Sequence, residues 1–365
     1  MKVLEITCEP ILYGGQEAFI FNFLENLSDK EIDVDVLTLY CINNDYYKEI
    51  ARRRGSNVYE LKLDFRPGKS RRLIKEPLRK FLNKHHYDIV HIHSGSISAL
   101  AYSAEVARKS GIKQVIVHSH STGIDNLRHK IIQYIFKRKF LNYATTFCAC
   151  SKEAGLMKFP KNMSSEIIVL KNGINLNKYK YNATIRSEIR KNLLIPKDAY
   201  VVGQIGRYTF EKNQEFTVNI AKKILKDYKN FYFVLIGDGE LKSSVMEKCV
   251  GLSNLLFLDS QADVWKYYSV FDLLLLPSLY EGIPIVSIEA QANGLPILAS
   301  EGVSNEIEIN SNVKRVSLND ESVWITTILQ RNSKRVDTVE KLTDSSWSID
   351  GTVKRIIEIY KGKVS

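Results

Sequence analysis

The residues best placed to do chemistry sit in Leu276-Pro-Ser-Leu-Tyr-Glu281-Gly-Ile-Pro-Ile-Val-Ser-Ile-Glu289-Ala. Four consecutive leucines, 273–276, predict a buried strand that delivers the chain to a loop ending at Gly282. There the missing side chain lets a ligand come close to the backbone. Pro284 suits the first turn of a following helix, because its absent N–H would have no intrahelical partner there. The N–H groups of Gly282, Ile283, Ile285 and Val286 would then point out of a helix N-terminus, a natural anion site. Glu281 precedes that helix and Glu289 lies about one turn inside it. Two carboxylates, both able to bind hydroxyls, would flank one phosphate-binding helix end. The plainer alternative is a capping Glu281 and a solvated Glu289.

Further segments could contribute. Gly206-Arg207-Tyr-Thr-Phe-Glu-Lys212-Asn213 places two cations on one loop, where both could converge on a phosphate or simply face water. Ile236-Gly237-Asp-Gly239-Glu240 allows tight backbone approach. It lacks the Gly-x-Gly-x-x-Gly spacing of a dinucleotide fingerprint, and as a lone turn it would be structural. Tyr13-Gly14-Gly15-Gln-Glu17 opens a helix directly after the first strand, so a phosphate could sit on that helix end as well. His118-Ser-His120-Ser-Thr122-Gly123 brings two imidazoles and hydroxyls to a strand end. Its alternative is a pair of satisfied core histidines.

Such loops need a scaffold whose strands end in ligand-facing turns. Apolar runs rich in β-branched residues predict strands at 3–8, 33–39, 58–61, 89–93, 115–118 and 146–149, with helices at 15–27, 70–83, 98–109 and 128–143 between them. The turn Asn172-Gly173 interrupts the pattern, and a short helix at 185–194 follows. Strands then resume at 200–205, 231–236, 255–257, 273–276 and 297–299, with helices at 213–227, 241–250, 264–268 and 285–293. Alternation of this kind implies α/β architecture with doubly wound parallel sheets. Two domains are expected, 1–180 and 181–345, with the ligand in a cleft between sheets that face each other. A last helix, 353–360, stands apart from the second sheet within a segment 346–365 and has the option of packing on the N-terminal domain. With 44% hydrophobic and 25% charged residues the chain can bury a large core. No run approaches the roughly 18 apolar residues of a membrane span, and the N-terminus reads as a strand, without the features of a signal peptide. Five scattered cysteines suggest a reducing compartment.

Taken in order, these segments resemble the retaining GT-B glycosyltransferases of family 4, of the bacterial capsule and exopolysaccharide type. The resemblance covers nearly the whole chain. It runs through Gly14-Gly15-x-Glu17, His118-Ser-His120-Ser, Ala149-Cys-Ser151-Lys-Glu-Ala-Gly155, Asn172-Gly-Ile, Gly206-Arg207…Lys212-Asn213, Gly237-Asp-Gly-Glu240 and Pro277-Ser-Leu-Tyr-Glu281-Gly…Glu289-Ala-Gln-Ala-Asn-Gly. The Glu-x7-Glu element with its Arg and Lys partners is the specific part. The resemblance implies two Rossmann-like domains and a nucleotide-sugar donor, usually UDP-linked, held by the C-terminal one. Arg207 and Lys212 would neutralise the donor diphosphate, Glu289 would bind the ribose hydroxyls, and Glu281 would lie near the hydroxyls of the transferred sugar. The amides of Gly282, Ile283, Ile285 and Val286 would hold phosphate and sugar, and Gly237 and Gly239 would lie against the donor. Gly14 and Gly15 would close over the diphosphate, with His120, or else His118, touching the sugar. Arg207, Lys212, Glu281 and His120 are therefore the expected catalytic set. Two fixed cations and a helix end would stabilise the departing diphosphate without a metal, and no other cofactor is implied. Glu281 as a nucleophile is the rival mechanism. A nucleotide-sugar 2-epimerase and a non-catalytic basic adaptor are the rival functions.

Charge adds a further expectation. The formal surplus of +11 falls entirely within residues 1–180, which hold 29 basic and 18 acidic side chains. Segment 66–84 has eight basic residues, Arg66, Lys69, Arg71, Arg72, Lys75, Arg79, Lys80 and Lys84, against Glu76 alone. Segment 128–139 adds Arg128, Lys130, Lys137, Arg138 and Lys139 with no acid. Basic helices with an apolar face read as membrane-surface elements, or as ordinary packed helices with solvated cations. A lipid-diphosphate-linked saccharide acceptor, near His118 and those cations, fits a protein docked on the inner face of the cell membrane. Nucleic acid is not an expected partner, since basic and aromatic residues do not interleave. The Asp33-Val-Asp35 pair alternates with apolar residues and is expected to mark the solvent face of a strand.

Overall fold

The computed structural model describes residues 1–12, 14–65, 70–120, 127–159, 163–249, 251–261, 263–337, 339–344 and 346–363. Tyr13, Arg66, Lys69 and Ser121 to Gly123 lie outside the described residues, as do the side chains of Arg128 and Lys130. The chain divides into two units, Met1–Gly173 with Ile349–Ser365, and Ile174–Ser348.

In the first unit the strands are β1 (Lys2–Thr7), β2 (Asp33–Thr38), β3 (Val58–Glu60), β4 (Ile89–Ser94), β5 (Gln114–Ser119), β6 (Thr146–Ala149) and β7 (Ile167–Val169). They form one parallel sheet in the order β3-β2-β1-β4-β5-β6-β7. Helices α1 (Gly15–Asn26), α2 (Asp45–Arg54), α3 (Lys75–Lys84), α4 (Ile97–Lys109), α5 (Leu127–Tyr143) and α6 (Lys152–Lys158) connect them. Central strands of such a sheet are covered on both sides and read as continuous apolar runs. The histidines of β4 and β5 break that rule, and in register His93 lies opposite both Thr7 and His118.

The second unit opens with α7 (Ala183–Asn192) and continues through β8 (Tyr200–Ile205), α8 (Gln214–Asp227), β9 (Phe231–Ile236), α9 (Lys242–Glu247), β10 (Leu255–Leu258), α10 (Tyr267–Val270) and β11 (Leu273–Leu276). It closes with α11 (Ile285–Ala292), β12 (Ile297–Ser300), β13 (Val313–Val316), α12 (Glu321–Leu329) and α13 (Val339–Asp344). Its parallel sheet runs β10-β9-β8-β11-β12-β13. The last helix, α14 (Ile349–Tyr360), belongs to the first unit: it packs on α1, and Lys361 pairs with Asp29 at 2.6 Å.

Two expectations need correction. Pro284 is the residue before α11, with ψ of 128°, not a member of its first turn. Asp35 is buried rather than on a solvent face: it accepts hydrogen bonds from Asn57 N and Nδ2, both at 2.9 Å, and from Tyr87 Oη at 2.8 Å.

Candidate functional site

In the second unit the sequence-predicted residues gather where β8, β9, β11 and β12 end. The loops there are sewn together by backbone. Tyr208 N donates to Asp238 O at 2.9 Å, Leu279 N to Glu211 O at 2.8 Å, and Glu281 N to Gly302 O at 2.8 Å. Asn213, held left-handed at φ 53°, donates from Nδ2 to Pro277 O at 3.1 Å. Lys212 Nζ is thereby set against Glu281 Oε1 in an ion pair, and Ser278 Oγ donates to Glu281 Oε2 at 2.8 Å. Arg207 is exposed and makes no ion pair among the described residues.

The glycines sort by what a side chain would meet. A Cβ on Gly237 would lie 2.1 Å from Gly206 O, and one on Gly239 would lie 2.5 Å from Tyr208 O, at φ of 147° and 153°. Both are therefore required by the close approach of two loops, whatever binds there. Gly282 differs: its φ is not left-handed, and a Cβ would meet nothing within 4 Å. The fold does not demand glycine there, so the open face beside it is space a ligand can use. The N–H groups of Gly282, Ile283, Ile285 and Val286 have no acceptor among the described residues. Glu289 is buried in α11, accepting from Tyr179 Oη at 2.7 Å and from Tyr268 Oη. Burial raises its carboxyl above the usual range, and the two tyrosines hold that rise back.

In the first unit Gly14 caps α1, and Glu17 folds so tightly over it that a Cβ would meet Oε2 at 2.3 Å. Asn172 Nδ2 donates to Gly15 O at 2.9 Å and fixes the same loop. One turn into α1, the Phe19 ring touches His93, His118 and His120, with centroids 5.7, 4.8 and 5.6 Å away. His120 is half-buried, and its Nε2 lies 2.9 Å from His93 Nδ1. His93 in turn reaches Glu5 Oε2 through Nε2 at 2.5 Å. The sequence places His118 at the acceptor; instead β5 turns it inward, where it is wholly buried and neither ring nitrogen has a partner among the described residues. Glu5, His91 and His93 carried no sequence signal, because their significance lies in partners on other strands.

Residues 13–178 match Glycosyltransferase Family 4, and residues 185–322 match Glycosyl transferases group 1, so the two matches take in most of the chain. The chain belongs to the family 4 glycosyltransferases. It is 28% identical to the putative glycosyltransferase EpsF of Bacillus subtilis, over 95% of this chain and 93% of that one. It is 26% identical to the Escherichia coli UDP-Gal:alpha-D-GlcNAc-diphosphoundecaprenol alpha-1,3-galactosyltransferase, over 98% of this chain and 95% of that one. The crystal structure of Anabaena HepE in complex with UDP-glucose superposes with a TM-score of 0.77 at 17% identity, covering 99% of this chain and 100% of that one. That likeness shows the GT-B fold.

The basic helices of this glycosyltransferase divide into engaged and open cations. Buried Glu105 of α4 draws Lys75 and Lys109 to 2.9 Å and Lys139 to 3.7 Å. Arg79 pairs with Glu76, and Arg71 stacks over Phe65 at 4.7 Å. Arg72, Lys80 and Arg138 are exposed and make no ion pair among the described residues, while Lys137 is half-buried. On α5 the residues Ile132, Phe136 and Phe140 point inward, whereas Ile131, Tyr134 and Ile135 are 57, 71 and 56% exposed. Leu73, before α3, is 82% exposed. No helix among the described residues is long and apolar enough to cross a membrane.

Proposed function

We propose that this glycosyltransferase moves a hexose or N-acetylhexosamine from a UDP-sugar to a lipid-diphosphate-linked saccharide in capsule or exopolysaccharide assembly, retaining the anomeric configuration and needing no metal. The observation that carries this reading is the Lys212–Glu281 pair set beside the acceptorless N–H groups that open α11, with Arg207 exposed on the adjoining loop. The UDP-Gal donor and diphosphoundecaprenol acceptor in the name of the Escherichia coli relative, and the UDP-glucose bound in HepE, support a UDP-sugar donor and a lipid-linked acceptor.

As the bond from the anomeric carbon to the β-phosphate oxygen breaks, negative charge grows on the leaving diphosphate. Lys212 Nζ has three donors, of which Glu281 takes one, so the carboxylate aims the ammonium without exhausting it. Cations and amides fixed beforehand at the departing oxygen act most strongly once charge has developed. The acceptor oxygen then attacks from the same face, and its proton passes to the diphosphate oxygen that has just been released. Glu281 is a poor nucleophile in this setting, since both its oxygens are engaged by Lys212 and Ser278. Glu289, with two oxygens and about four acceptor sites, can serve the ribose hydroxyls and still keep both tyrosines. The sole Asp-x-Asp is poorly placed to offer paired carboxylates to a metal, because Asp35 is buried and engaged at both oxygens by Asn57 and Tyr87.

Arg207→Ala and Lys212→Ala test this assignment. Each is expected to lower kcat by roughly a hundred- to a thousandfold while UDP affinity changes about tenfold or less. Equal losses in both would remove transition-state stabilisation from the account. Turnover of UDP-sugar without any acceptor would instead mark an epimerase.

A further inference from the structure

A line of hydrogen bonds runs from the interior of the first unit to His120 at the end of β5. It starts at Glu5 on β1, where Tyr360 Oη donates to Oε1. His93 Nε2 lies 2.5 Å from Oε2 of the same carboxylate, and a carboxylate oxygen can only accept. The proton of a neutral His93 is therefore on Nε2, which leaves Nδ1 as an acceptor. His120 Nε2 is 2.9 Å from that Nδ1, so it must be the donor. The remaining nitrogen of His120, Nδ1, then carries a lone pair, and it has no partner among the described residues.

We propose that Glu5 and His93 are positioning residues that set the tautomer of His120, so that His120 Nδ1 accepts a hydrogen bond from a hydroxyl of the donor sugar. The proposal rests on the reading of His120 as the sugar contact. The groups around the line are His91, His118 and Tyr360. His91 Nδ1 lies 2.9 Å from Tyr360 Oη, and the His118 and His120 rings, tilted by 30°, have centroids 4.1 Å apart. Burial, together with the neighbouring His91, lowers His93 to about 4 despite Glu5, which keeps it neutral at physiological pH, as the tautomer chain requires. Three of these histidines, His91, His93 and His118, also bring one nitrogen each within 4.8 Å of the others, the spacing of a metal centre. His93 is already engaged at both nitrogens, by Glu5 and by His120, and this favours the relay over an ion.

Nitrogen NMR of histidine-labelled, full-length protein tests the relay directly. In the wild type, His93 and His120 should both appear as the Nε2–H tautomer. In Glu5→Gln the amide oxygen can stay on Tyr360 while the amide NH2 faces His93 Nε2, reversing both rings to Nδ1–H. That variant should lose about tenfold in kcat, one hydrogen bond in the transition state, with a smaller change in donor KM. A wild-type His120 protonated on Nδ1 overturns the relay even if Glu5→Gln fails to fold. So does an unchanged His120 tautomer in a folded Glu5→Gln, or one equivalent of zinc in the purified protein. Full turnover in His120→Ala would remove the sugar contact on which the proposal rests, whatever the tautomers show.

Discussion

At the scale of single residues, Glu289 is the most exacting member of the site. In the role proposed for it, it must be ionised to accept from hydroxyls on both oxygens, yet burial pushes its carboxyl above the usual value of 4.5. As pH falls through that raised value the carboxyl gains a proton, loses acceptor sites, and should release UDP. Calorimetry across the acidic range should therefore show UDP affinity declining earlier than an ordinary carboxylate would dictate. Glu289→Gln should weaken UDP by roughly ten- to a hundredfold, the worth of a hydrogen bond to a charged group, and should flatten the profile. Stability moves the other way. A folded-state pKa above the unfolded one means the ionised side chain costs stability at neutral pH. Glu289→Gln should then melt higher than the wild type while binding UDP less well, a trade of stability for function. A variant that melts lower and binds normally would return Glu289 to a packing role.

At the scale of elements, Glu105 joins three helices. Lys75 comes from α3, Lys109 from α4 itself and Lys139 from α5. Burial alone would raise this carboxyl, but its bonds to Lys75 and Lys109 outweigh that and bring it down to about 2. Its contribution to stability is present above the unfolded value of 4.5 and disappears as pH falls towards 2. Thermal melts across that window should show the wild type losing more than Glu105→Gln. Identical slopes would dismiss the cluster. Much of this scaffold was legible beforehand, since central strands are long apolar runs and the helices between them are amphipathic. The misses are instructive. β7 is three residues long, and β13 reads Val-Lys-Arg-Val, the short and charged character of an edge strand. α2 is mostly polar, with only Tyr47, Ile50 and Ala51 turned inward, although its Asn44 cap and left-handed Gly55 were visible signals. The strand-end loops of the site could be read because their residues are close in sequence. The Glu5–His93–His120 line could not, because each link crosses between strands far apart in the chain.

At the scale of the molecule, the division of charge survives the true boundaries of the units. The first unit holds 31 basic and 20 acidic side chains, and the second holds 21 of each. A surplus of that size on one unit alone is of little use to a protein that meets only a soluble donor. It suits one that must come to an anionic surface to find a lipid-linked acceptor. Exposed Ile131, Tyr134, Ile135 and Leu73 lie on the same unit, and apolar side chains in contact with water make sense if a bilayer covers them. Each open cation near an anionic leaflet adds about 1 kcal/mol, and each buried aliphatic side chain about 1.5–3 kcal/mol. Arg72, Lys80 and Arg138, which have no internal counter-ion among the described residues, should therefore matter more than Lys75 and Lys139, which Glu105 already neutralises. Sedimentation with vesicles of phosphatidylglycerol and phosphatidylcholine should show binding that weakens with salt. Replacing Arg72, Lys80 and Arg138 with Gln should reduce it by about a hundredfold. Ile131→Asp with Ile135→Asp should reduce it at every salt concentration, since the apolar contribution is not screened. Binding indifferent to salt and to both sets of substitutions would leave the basic surplus without a membrane role. Turnover of a short-chain, water-soluble acceptor should be unaffected by Ile131→Asp with Ile135→Asp, since neither residue is among the cations expected near the acceptor and only the bilayer contact is lost.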